Sequence, residues 1–172
     1  GTPIINLVMV EPGERVNAVI PTPDFSENKH LFMCTRQGIV KKSLLSDYDT
    51  QRKGGLIGIS LDEEDELISV KLTEGTDEIV IVTQQGQAIR FSEEDVRSMG
   101  RTARGVKGIS LNQNDAVVGM ETVQNDADLL VITEKGYGGI PPPDTRWKRN
   151  QDPESDLEEW TDCRDQTCNG RK

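Results

Sequence analysis

Nine basic side chains gather in two stretches of this chain: Lys41, Lys42, Arg52 and Lys53 in one, then Arg90, Arg97, Arg101, Arg104 and Lys107 about fifty residues later. The chemistry open to such a set is charge neutralisation. Lys and Arg spaced along a convex surface hold nucleic-acid phosphates and release condensed counterions, with no geometry for reading bases. Each one alone is equally well a solvated surface charge, so the weight lies in their recurrence. Covalent chemistry has less to draw on. A nucleophile beside a base, a metal cluster and a phosphate loop are all missing from the pattern. His30, the sole histidine, precedes an apolar run and reads as structural. The acids Asp62, Glu63, Glu64 and Asp65 lack the alternating spacing and glycine of a calcium loop and read as a solvated turn. Cys34, Cys163 and Cys168 form neither a disulfide framework nor a zinc ligand set. No catalytic residue, metal or cofactor is expected.

The elements that must carry these charges are announced by repetition. Gly1-Thr2-Pro3-Ile4-Ile5-Asn6-Leu7 returns as Gly55-Leu56-Ile57-Gly58-Ile59-Ser60-Leu61 and again as Gly105-Val106-Lys107-Gly108-Ile109-Ser110-Leu111. A second landmark keeps step: Leu31-Phe32-Met33-Cys34-Thr35-Arg36-Gln37-Gly38, then Ile79-Val80-Ile81-Val82-Thr83-Gln84-Gln85-Gly86, then Leu129-Leu130-Val131-Ile132-Thr133-Glu134-Lys135-Gly136. Polar turns at Glu11 to Glu14, Asp62 to Asp65 and Asn112 to Asp115 separate short runs rich in Val, Ile and Leu, the pattern of strand, turn, strand. Each repeat is expected to be a small antiparallel sheet. The second landmark, most continuously apolar, should be a central strand covered on both faces. Its Thr-x-x-Gly ends fit tight hairpins with glycine in the left-handed conformation. Sheets of four short strands at this period build propeller blades. The expected fold is all-β and propeller-like over residues 1–138, with blades at about 1–54, 55–104 and 105–138, the third incomplete.

Composition sets the outer limits. The chain has 172 residues, 34% of them apolar, enough for a lean core. No apolar stretch approaches the roughly 20 residues of a membrane helix, and the beginning lacks a signal-peptide pattern, so a cytoplasmic protein without membrane contact is expected. Thirty acidic against twenty basic residues give a net charge of -10, which taken alone argues against a nucleic-acid partner. Segregation of sign changes that reading: acids concentrate in the turns and bases in the stretches between repeats, so different regions of a ring should carry each. From Gly139 onward the repeat landmarks stop. Residues 139–172, opening Gly139-Ile140-Pro141-Pro142-Pro143 and carrying Trp147 and Trp160, are expected to lack regular structure.

Several motifs in order resemble the C-terminal domain of the DNA gyrase A subunit. They are Ala88-Ile89-Arg90-Phe91-Ser92-Glu93-Glu94-Asp95-Val96-Arg97, Gly100-Arg101-Thr102-Ala103-Arg104-Gly105-Val106-Lys107-Gly108-Ile109 and Thr133-Glu134-Lys135-Gly136-Tyr137-Gly138, with Gly38-Ile39-Val40-Lys41-Lys42-Ser43 resembling a further blade. The A-type subunit of topoisomerase IV is the near relative. The resemblance covers roughly residues 1–138 and implies a β-pinwheel, here about two complete four-stranded blades and part of a third, whose basic rim wraps double-stranded DNA. It implies a role inside a type II topoisomerase, beside the rest of gyrase A and gyrase B, with no catalysis by this segment. Tyr48 and Tyr137 are then not the DNA-linking tyrosine, which the family carries in its N-terminal region. The family's Gln-Arg-Arg-Gly-Gly-Lys-Gly box is met only by Gln51-Arg52-Lys53-Gly54-Gly55, which reads as a blade junction. A propeller used as a protein-interaction scaffold is the alternative that the net acidity favours. An open blade edge would also invite pairing with a second chain.

Overall fold

The structure is a computed structural model that describes residues 16–22, 24–25, 28–50, 55–123, 129–132 and 138–139, together with Gly1, Pro3 and Gly13. The chain divides into two units, Gly1–Val123 and Gln124–Lys172. The first holds two antiparallel sheets. Sheet A has the order β3-β1-β2-β6, from Leu67–Thr73, His30–Thr35, Ile39–Leu44 and Val106–Lys107. Sheet B has the order β5-β4-β7, from Ala88–Ser92, Glu78–Thr83 and Val117–Thr122. The second unit carries a two-stranded pair, β8 (Val131–Ile132) with β9 (Gly138–Gly139). The only helical pieces among the described residues are 3-10 turns at Leu45–Tyr48 and Glu93–Asp95, and no helix is long and apolar enough to cross a membrane. The expected all-β, propeller-like architecture is what the chain adopts.

The apolar landmark strands are central, as their composition demands. β1 and β4 each lie between two partners, and all of Phe32, Met33, Cys34, Ile79, Val80, Ile81 and Val82 are buried. Phe32, Cys34 and Val40 of sheet A meet Ile79 and Ile81 of sheet B in one core, closed by Val96, Ile109, Val117 and Met120. The Phe32 and Phe91 rings tilt against each other at 6.2 Å, within the favoured range for aromatic pairs. The other face of sheet A buries Leu31, Met33 and Leu45 beneath Ile20, Tyr48, Ile59 and Leu67.

The hairpins follow the Thr-x-x-Gly signal twice in full. Gly38 and Gly86 have φ of 80° and 85° and donate to Thr35 and Thr83 carbonyls at 3.0 and 3.1 Å. The threonine hydroxyls accept from the Ile39 and Gln87 amides at 3.2 and 3.1 Å. Both central strands also shift register at the same place, between Cys34 and Thr35 and between Val82 and Thr83.

One expectation is corrected. A repeat of the sequence is not a sheet: sheet A takes β1 and β2 from the first span, β3 from the second and β6 from the third. The cause lies at Gly105 and Gly108. A Cβ on Gly105 would stand 2.5 Å from the Val40 carbonyl oxygen and one on Gly108 would stand 2.6 Å from Val40 Cγ1, so only glycine lets this segment come close enough to pair with β2. The sequence period reports the repeat length; these close approaches set where one sheet ends and the next begins.

Candidate nucleic-acid interface

The polar framework of the site is built from turns. Asp65 and Asp115 occupy equivalent positions after residues of positive φ, Glu64 at 65° and Asn114 at 62°. Asp65 Oδ1 accepts from the Gln37 and Glu66 amides at 3.0 and 2.9 Å, and Asp115 Oδ1 from Gln85 and Ala116 at 2.9 and 2.8 Å. Each carboxylate thus clips an acidic turn to the tip of a hairpin. The Asp62 to Asp65 turn, read from sequence as solvated, is thus partly structural. Among the described residues no group of His, Cys, Asp and Glu could hold a metal ion.

After β5 the chain crosses from sheet B back to sheet A through residues 96–105, and this linker lies along β2. The Met99 amide donates to the Lys42 carbonyl at 2.8 Å, and Ser98 bridges Lys42 in parallel. Ser60 adds two bonds, from its amide to Ala103 O at 3.4 Å and from its hydroxyl to Thr102 O at 2.7 Å. Val106 and Lys107 then pair with Val40 and Ile39.

Lys41 and Lys42 sit beneath this linker, away from solvent. Lys41 is wholly buried, and its ammonium donates to Gly58 O at 2.7 Å and to the Arg101 carbonyl. Burial pulls the Lys41 pKa below its ordinary value, with Asp47 opposing the fall and Arg101 adding to it. Lys42 is 7% exposed and its ammonium donates to Glu93 O at 2.8 Å. A buried ammonium must have such partners, because an unpaired one would cost several kcal/mol. Their positions fit them to hold the linker in place.

The remaining basic residues divide by partner. Arg97 and Lys107 are exposed and have no ion-pair partner among the described residues. Arg104 is exposed and paired with Asp62. Arg101 is half-buried, its Nη1 reaching Asp47 O at 3.5 Å, with Nε buried and without a hydrogen-bond partner among the described residues. Arg90, half-buried on β5, is tied to Glu78, Nε to Oε2 at 2.9 Å. Arg52 and Lys53 lie outside the described residues. Arg97, Arg101, Arg104 and Lys107 therefore form one short basic run on the linker and β6. The expected separation of acidic turns from basic linkers does not hold here: Arg104 reaches Asp62 of an acidic turn, because the linker returns to sheet A beside it.

Two other residues matter to the site. Glu93 is fully buried; Oε1 accepts from the Gly75 and Asp77 amides at 2.7 and 2.8 Å, and Oε2 from Thr73 Oγ1 at 2.7 Å. It pins the 74–77 turn to the start of the linker. The available signal was the repeat itself, since Glu93 follows β5 where buried Leu45 follows β2. Tyr48 donates to Gly58 O at 3.1 Å, and burial pushes its phenol pKa up, an arrangement that supports the Lys41 cluster.

Comparisons with known proteins agree with this architecture. The model of the family described as "DNA gyrase C-terminal domain, beta-propeller" matches residues 29–74 and 77–124, more than half of the chain. The DNA gyrase A protein of Clostridium acetobutylicum is 50% identical over 107 residues, 62% of this chain and 13% of that protein. A solved C-terminal domain of DNA topoisomerase IV has a TM-score of 0.76 at 34% identity, over 81% of this chain and 44% of its own. A solved DNA gyrase A C-terminal domain has a TM-score of 0.71 at 25% identity, over 81% and 46%. The chain thus spans about an eighth of the curated gyrase protein that it matches.

Proposed function

Because this chain belongs to the family of DNA gyrase C-terminal domains with the β-propeller fold, we propose that it holds double-stranded DNA by its phosphates, without sequence preference, as part of the DNA-wrapping domain of gyrase A. It has no catalytic role of its own in this reading. Strand passage and ATP hydrolysis belong to the rest of gyrase A and to gyrase B, in the cytoplasm. The observation that carries the proposal is the basic run Arg97, Arg101, Arg104 and Lys107, laid along the outer edge of sheet A on a linker fixed by Lys41, Met99 and Ser60. A fixed linker presents its charges without the ordering cost of a loose one. Arg90 joins the contact surface only by exchanging Glu78 for phosphate. Arg52 and Lys53 extend it on the preceding stretch, and Lys41 and Lys42 act through position. Self-association through an open sheet edge belongs to the same reading.

Replacing Arg97, Arg101, Arg104 and Lys107 together by Ala should weaken binding of two unrelated duplexes to the same degree. The slope of log affinity against log salt should flatten by roughly 0.9 for each phosphate no longer neutralised. Equal affinity of substituted and original chains at low salt would exclude the rim assignment. It would favour a propeller scaffold for protein partners, the reading supported by the net charge of -10 and by the carboxylates already paired with Arg36, Lys71, Arg90 and Arg104.

A further inference from the structure

Asp62 to Asp65 and Asn112 to Asp115 are one turn built twice, and together they separate what the fold needs from what it does not. In both, the amide of the last residue donates to the carbonyl of the first, Asp65 to Asp62 at 3.2 Å and Asp115 to Asn112 at 3.1 Å. In both, the residue before the last has positive φ, and the last carboxylate clips a hairpin tip, accepting from the Gln37 amide at 3.0 Å or the Gln85 amide at 2.9 Å. The charges in front of that carboxylate differ: Asp62, Glu63 and Glu64 stand where Asn112, Gln113 and Asn114 do. An amide side chain serves the turn as well as a carboxylate, so the negative charge of Asp62 answers to something outside the turn.

Arg104 is what it meets. The two side chains form an ion pair, and bonds close by in both segments hold them together: the Ser60 amide donates to Ala103 O at 3.4 Å and the Ser60 hydroxyl to Thr102 O at 2.7 Å. With Ser60 fastened to the linker on one side and Asp65 clipped to Gln37 on the other, the Asp62 carboxylate has a set place beside the guanidinium. Both side chains remain open to solvent, Asp62 at 36% and Arg104 at 59%, so a second anion can reach Arg104. An exposed pair of this kind is weak and therefore exchangeable.

We propose that Asp62 is a built-in competitor for the phosphate that Arg104 would hold, and so sets how tightly this part of the basic run grips DNA. A duplex must displace the carboxylate before Arg104 neutralises a phosphate. The displaced carboxylate is then left as a negative charge beside the bound phosphates and repels them. Both effects weaken the grip, and neither depends on base sequence. Resting on the phosphate-holding reading, this role for Asp62 names the residue that limits that grip.

The test is a double-mutant cycle on the full chain, read as affinity for a plain duplex at low salt. Asp62→Asn, which copies Asn112, should fold as the original does. It should tighten binding about two- to fivefold more than Glu63→Gln, which removes the same charge from the exposed neighbouring residue. In an Arg104→Ala background the two substitutions should have equal effects, because the competitor has nothing left to cover. An equal gain from both in the original background would overturn the proposal. So would an excess for Asp62→Asn that survives without Arg104, since Asp62 would then act only through the general field of its turn. A salt series on the original chain keeps the two readings apart. Salt-sensitive binding with no excess for Asp62→Asn would sink the role of Asp62 alone, whereas no salt-sensitive binding by any chain would sink phosphate holding and the role of Asp62 with it.

Discussion

Lys41 and Lys107 are the same residue type in the same kind of stretch, yet one is wholly buried and the other exposed. Sequence could not separate them. β2 is covered on both faces, so Val40, Lys41, Lys42 and Ser43 are all buried and the alternation that marks an outward side chain is absent. The two should behave oppositely on substitution. Lys41→Ala leaves the Gly58 and Arg101 carbonyls without their donor and should cost roughly 2–4 kcal/mol in chemical denaturation, whereas Lys107→Ala should stay within about 0.5 kcal/mol and lower DNA affinity. Glu93→Ala strips acceptors from two amides and a hydroxyl and should cost roughly 3 kcal/mol, measured in the same way. Alkaline stability tests a third buried group. Burial, with Asp65 adding to it, pushes the Cys34 thiol up to about 12 from an ordinary value of 9.0. Between those values the unfolded chain has released a proton that the fold still holds, so stability falls as pH rises, by roughly 4 kcal/mol across the window. Cys34→Ala should flatten that part of the curve, and an unchanged curve would count against the burial account.

At the scale of elements, the hairpins were legible because threonine and glycine each make a local bond that the sequence names. The central place of β1 and β4 was legible from unbroken apolar runs. What was not legible is the phase of the repeat, since the strand that completes sheet A arrives about seventy residues after β1 and is admitted by the space at Gly105 and Gly108. Equivalent glycines give a direct check. Gly55→Ala meets open space and should cost only the left-handed strain, roughly 1–2 kcal/mol. Gly105→Ala adds a clash with the Val40 backbone and should cost several kcal/mol more than that strain alone. Thermal unfolding of the two variants side by side measures the difference, and equal costs would mean that β6 does not need this close approach.

At the scale of the whole molecule, opposite charges interleave among the described residues. Arg36, Lys71, Arg90 and Arg104 each have a carboxylate neighbour, while Arg97 and Lys107 face solvent. Family and fold were readable from repeated motifs in register. The proposed contact surface was readable only as a set of basic residues, because sequence does not show which ammonium or guanidinium is taken up by a carbonyl or a carboxylate. A binding surface of this kind must work through a few unshielded charges against a net charge of -10, so affinity should be modest and strongly dependent on salt. The most direct measurement is the affinity of the intact chain for a plain duplex across a salt series. With phosphates neutralised by Arg97, Arg101 and Lys107, and a fourth by Arg104 on exchanging Asp62 for phosphate, log affinity should fall linearly with log salt at a slope of about -3.6, the same for unrelated sequences. Binding that ignores salt, or no binding at low salt, would contradict a phosphate-holding rim.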